Sequence, residues 1–93
     1  MYSLRTTPRF EREFRRLLRR HATLLELVES ARAVLEADPY NRSQSHDIKK
    51  LTDAPRGAGQ YRLRAGRFRF RYDIYGEEVV LGDVSLRRED TYS

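Results

Sequence analysis

The spacing of apolar residues changes once along this chain, and that change fixes its class. Phe10, Phe14, Leu17 and Leu18, then Leu24, Leu27, Val28, Ala31, Val34 and Leu35, recur mostly at intervals of three and four, which line one face of a helix. From Tyr61 the interval is two. Tyr61, Leu63 and Ala65 alternate with Arg62 and Arg64; Phe68, Phe70, Tyr72 and Ile74 alternate with Arg67, Arg69, Arg71 and Asp73, the signature of strands with one buried face. In a chain of 93 residues that apolar face has only the helices to cover it.

Local signals set the boundaries. "YSLRT", residues 2–6, alternates weakly and reads as a short first strand. Thr7 then serves as N-cap and Pro8 as first helical residue, where a missing N–H costs nothing. A second helix is expected from about Thr23 to Ala37, stopped at Asp38-Pro39 because the residue before proline is pushed out of the helical region. So short a joint near His21 implies an antiparallel hairpin. Residues 39–60 are polar and rich in turn signals, and "DAPRGAGQ", 53–60, reads as a flexible loop. Turns near Gly66 and at Tyr75-Gly76-Glu77 separate the later strands, the last being "VVLGDVSL", 79–86. The expectation is one α+β domain over residues 1–93: an N-terminal strand, an antiparallel helical hairpin, and a three-stranded antiparallel meander forming one sheet packed on the helices.

Charge narrows the function. The net charge is +5 and the pI about 10.0, which favours an anionic partner. Of 19 basic residues, all but Lys49 and Lys50 are arginine. "YRLRAGRFRFRY", residues 61–72, concentrates five of them without one lysine or acid. Alternation places the arginines of neighbouring strands together on the face away from the helices. Like charges side by side cost stability, so the cluster reads as a docking surface for something anionic. A solvated sheet face, or a purely protein-binding one, would account for the same residues.

Absent features exclude other classes. With no cysteine there is no disulfide framework and no thiolate metal site, which fits a reducing cytoplasm. His46 beside Asp47 offers two adjacent metal ligands without a third. The N-terminus lacks a signal-peptide apolar run and no later segment approaches a membrane span. A soluble cytoplasmic protein, without cofactor or metal and with no membrane partner, is expected.

The element order, "IKKL" before a loop, "YRLRAGRFRFRYDI" and the tail "LRREDTY" together resemble the RelE/ParE superfamily of toxins from type II toxin–antitoxin modules, across essentially the whole chain. The resemblance to RelE-like members implies an endoribonuclease that cuts messenger RNA on the ribosome and is neutralised by a partner antitoxin. ParE-like members are DNA gyrase poisons instead, and a non-catalytic member would only bind its antitoxin.

Metal-free RNA cleavage uses the neighbouring 2′-hydroxyl as nucleophile. It requires a proton acceptor, a donor for the leaving 5′-oxygen, and cations around the phosphate. Arginine suits the last task, because its fork binds phosphate oxygens bidentately and keeps its charge. The resemblance places catalytic roles on Arg62, Arg64 and Arg69, on Arg87 or Arg88 near the C-terminus, and on Tyr92. Where the ribonuclease members carry lysines on the first meander strand, this chain has Arg62 and Arg64. Arginine cannot be driven toward neutrality as lysine can. Tyr92, made more acidic by surrounding guanidiniums, is therefore the first candidate acceptor, and Glu89 or Asp90 the second. Neither His21 nor His46 falls on a matching position. Lys49, Lys50, Arg56, Arg67 and Arg71 are expected to supply RNA-backbone contacts.

Overall fold

The computed structural model describes residues 1–86. The elements are β1 (Ser3–Thr6), α1 (Pro8–Leu18), α2 (Leu24–Ala37), β2 (Ile48–Lys50), β3 (Tyr61–Ala65), β4 (Phe68–Tyr75) and β5 (Glu78–Leu86). The strands form a single sheet in the order β1-β5-β4-β3-β2. β3, β4 and β5 are the expected antiparallel meander.

Two features correct the expected topology. β1 joins the sheet parallel to β5, Leu4 opposite Val79 and Thr6 opposite Leu81, so the sheet is mixed. A fifth strand, β2, lies inside the polar stretch 39–60, where no strand is expected from the sequence, and pairs antiparallel with β3, Lys49 opposite Arg62. Three residues, two of them exposed lysines, carry no legible alternation. β2 is held instead by backbone bonds, Arg64 N–H to Asp47 C=O at 2.9 Å and Leu51 N–H to Gln60 C=O at 2.7 Å.

The expected helix signals operate. Thr7 Oγ1 accepts from Phe10 N–H at 3.1 Å and donates to the Gly82 carbonyl at 3.2 Å, so one hydroxyl both caps α1 and ties it to β5. α2 ends at Asp38, whose carboxylate then organises the next turn, accepting from Arg42 N–H, Ser43 N–H and Ser43 Oγ. That set of donors, the Ser43 hydroxyl foremost, holds the Asp38 pKa below the ordinary carboxylate value.

The core is one layer between helices and sheet. Phe68, Phe70 and Tyr72 of β4 are buried with Leu17, Leu24 and Leu35 of the helices, and Phe14, Leu27 and Val34 pack against them. The Tyr72 hydroxyl, fully enclosed, donates to the Pro39 carbonyl at 2.7 Å. Burial, with lesser contributions from nearby Tyr61 and Asp38, pushes the Tyr72 pKa far above its ordinary value. Every second residue of β3 and β4 is thereby committed inward, and the register sends the intervening arginines to the opposite face.

Candidate functional site

On that open face the cross-strand register stacks like charges. Arg62 stands opposite Arg71 and Arg64 opposite Arg69 on β3 and β4, with Lys49 beside Arg62 on β2. Side chains directly opposite on one face approach to about 5 Å between Cβ atoms, and like charges there are destabilising.

Neighbouring groups relieve part of this. Arg62 Nη1 lies 3.7 Å from Asp47 Oδ1. Arg71 folds over a backbone turn, donating from Nε to the Gly59 carbonyl at 3.1 Å and from Nη2 to Gly59 and Ala58 at 2.8 and 3.0 Å. Asp73, one residue beyond the register shift at Arg71/Tyr72, completes the strap. The residue is only 4 % exposed, and its carboxylate accepts from Gly59 and Gln60 N–H at 3.0 Å each. The segment expected to be a flexible loop is thus strapped to the sheet from both sides. Gly59 fits there because its φ is +85° and an added Cβ would lie 2.9 Å from Arg71 Cβ.

Arg64 and Arg69 are placed differently. Arg69 is exposed. Arg64 is half-buried, and its Nε has no hydrogen-bond partner among the described residues. A buried guanidinium nitrogen left unsatisfied is costly, and an anion between the two side chains would supply what it lacks.

The other predicted residues divide. The structure brings Lys49, Arg62, Arg64, Arg69 and Arg71 onto one face, with Arg71 turned to the strap. Lys50 points the other way, its Nζ 5.8 Å from the Tyr61 ring. Arg56 sits over Tyr75, 5.3 Å from the ring centre, at the far end of β4. Arg67 is exposed in the β3–β4 turn. Arg87, Arg88, Tyr92, Glu89 and Asp90 lie outside the described residues. His21 meets Phe68 edge-on at 5.4 Å, and His46 Nε2 lies 3.8 Å from Asp38. No group of metal ligands is gathered among the described residues, and no helix there is long and apolar enough to cross a membrane.

Sequence reasoning missed the acidic side of this face. Arg5 pairs with Glu78 and Arg9 with Asp83, each at 3.4 Å, and with Asp73 they flank a cleft beside the arginines. The available signal was Asp73, the one acid that interrupts the arginine alternation of β4.

Known proteins share this arrangement of chain. No family model matches, and no curated protein matches at a significant level. Among solved structures, the chain is similar to a chain of the toxin–antitoxin complex RelBE2 from Mycobacterium tuberculosis. The identity is 29%, over 95% of this chain and 93% of that one, with a TM-score of 0.71. It also shares its fold with a chain of the RelB–RelE antitoxin–toxin complex from Methanococcus jannaschii, at 18% identity over 96% and 99% of the two chains and a TM-score of 0.57.

Proposed function

We propose that this chain is the toxin of a type II toxin–antitoxin module, a metal-independent, ribosome-dependent messenger RNA endoribonuclease neutralised by a cognate antitoxin. The observation that carries this reading is the Arg64–Arg69 pair, two guanidiniums set opposite each other on an open sheet face, one with a buried nitrogen that has no partner among the described residues. The likeness to a chain of the RelBE2 complex supports a toxin–antitoxin role.

In the proposed reaction the 2′-hydroxyl of the substrate attacks the adjacent phosphate. A cyclic phosphate forms and the 5′-oxygen leaves. Arg64 and Arg69, with Arg62 beside them, stabilise the charge that gathers on the phosphate oxygens. In this reading proton transfer falls to the C-terminal set and solvent: Tyr92 as its phenolate, or Glu89 or Asp90, accepts the proton of the 2′-hydroxyl, water protonates the leaving 5′-oxygen, and Arg87 or Arg88 adds positive charge there.

A gyrase-directed or purely antitoxin-binding protein would need the charged face but no proton acceptor. Cleavage mapping on translating ribosomes separates the three. The expected result is metal-independent cuts at a fixed position within codons. Gyrase-dependent DNA damage without RNA cuts would establish the ParE-like function, and neither effect would leave antitoxin binding as the sole role.

A further inference from the structure

Beyond the arginine pair the open face dips into a cleft of about 470 Å³, walled by the Gly57–Gly59 turn on one side and by Arg5 and Arg9 on the other. Three successive cross-strand pairs of β4 and β5 contribute to it: Arg71 with Asp83, Asp73 with Val80, and Tyr75 with Glu78. Its chemistry is unlike that of the arginine pair. Asp73, Glu78 and Asp83 would repel a phosphate placed there. Val80 offers apolar surface and Tyr75 an aromatic ring, while carboxylate acceptors and guanidinium donors stand side by side on the rim. An uncharged planar group with its own donors and acceptors fits that mixture, and unstacked bases are bound this way, by aromatic stacking and by hydrogen bonds to their edges.

We propose that this cleft holds one base of single-stranded RNA, that of a nucleotide adjoining the phosphate at Arg64 and Arg69, with Asp83 selecting a base that carries an exocyclic amino group. The proposal rests on the ribonuclease reading for the position of that phosphate. Arg69 and Arg71 are two residues apart on β4, about 7 Å along the strand, so the mouth of the cleft lies within one nucleotide of the arginine pair. Asp83 is free to change partners. Its bond to Arg9 is a surface ion pair, with side chains 28% and 70% exposed, and such pairs contribute little. A carboxylate accepts from the cytosine amino group, whereas uracil presents an oxygen at that position and would be repelled.

Cytosine and uracil rings are alike in size, so comparing CpC with UpU isolates the amino contact. Both are used with a 2′-O-methyl group to prevent cleavage, titrated into the full chain and followed by amide chemical shifts. The expected result is about tenfold tighter binding of CpC, with shifts centred on Tyr75, Val80 and Gly82. Asp83→Asn should erase the preference. Gly82→Leu should erase it too by filling the cleft, since a Cβ at Gly82 meets nothing within 4 Å and its backbone is not left-handed. Equal affinity of the two ligands, shifts away from the cleft, or a preference that survives both substitutions would overturn the proposal. A cytosine preference in a protein that cuts no RNA on translating ribosomes would leave the cleft in place and remove the ribonuclease reading.

Discussion

Arg64 faces Arg69 directly across the β3–β4 ladder, with Ser85 next to Arg69 along that row, while the carboxylate of Asp47, on the other side of Arg64, lies 3.7 Å from Arg62 Nη1 instead. The pair therefore stores repulsion in the free protein and releases it when an anion enters. Replacing Arg69 by Ala should leave the fold intact and raise stability slightly, by up to about 1 kcal/mol. Toxicity should fall roughly a hundredfold, as when a transition-state donor is lost. Thermal unfolding and growth inhibition measured on the same variant test both halves. Undiminished toxicity in Arg69→Ala, Arg87→Ala and Arg88→Ala alike would argue for a binding-only face.

The strap over the open face makes a separate prediction. Asp73→Ala would leave the N–H groups of Gly59 and Gln60 without their acceptor, at a cost of about 1–3 kcal/mol each where they stay buried. Arg71→Ala removes only the opposite side of the strap. Hydrogen exchange should show Gly59 and Gln60 losing protection in Asp73→Ala while the β4–β5 ladder keeps it. Protection unchanged at those two amides would mean that the turn holds itself in place.

Much of this could be read in advance, and the residues explain where reading stopped. The alternation of Phe68, Phe70 and Tyr72 with arginine settled both register and faces, because a slip by one residue would have buried the charges. β2 escaped because its lysines belong to a short edge strand recognised only through its backbone partners. The parallel pairing of β1 with β5 joins residues some 75 positions apart, and four residues cannot announce a partner at that distance. The "DAPRGAGQ" segment has the composition of a loop and is one. Its order comes from Asp73 and Arg71, which lie outside it. Asp83 and Arg9 were unreadable for the same reason: their pairing depends on how α1 lies against β5.

Tyr72 gives the fold a limit at high pH. An unfolded tyrosine ionises near pH 10, while in the folded chain the Tyr72 pKa is raised, chiefly by burial. An acid with a raised folded pKa contributes stability that is complete below the unfolded value and is lost as pH climbs toward the folded one. Stability should therefore decline above about pH 10. Tyr72→Phe should lose about 1 kcal/mol at neutral pH, since it removes the bond to the Pro39 carbonyl, and should show a shallower alkaline decline. Denaturant titrations of both proteins at pH 7 and pH 11 decide it; parallel losses would assign the decline to other groups.

The last prediction concerns the inhibitor. On the proposed ribonuclease reading a cell must keep the protein silent, and the economical way is to cover the charge and some apolar surface together. An antitoxin segment that is acidic and disordered when free, laid on the domain as an amphipathic helix or an added strand, would do so. Its acids should meet part of the set Arg62, Arg64, Arg69, Arg87 and Arg88. Aliphatic anchors should take apolar surface beside the helices, where Leu25 is 52% exposed. Charge complementarity speeds encounter, whereas buried anchors set the residence time. Association should consequently slow as salt rises, while dissociation stays slow throughout. Binding kinetics over a salt series, with a candidate antitoxin co-expressed, provide the measurement. A partner that associates at a salt-independent rate and leaves all five arginines accessible would mean that the positive face serves some other ligand.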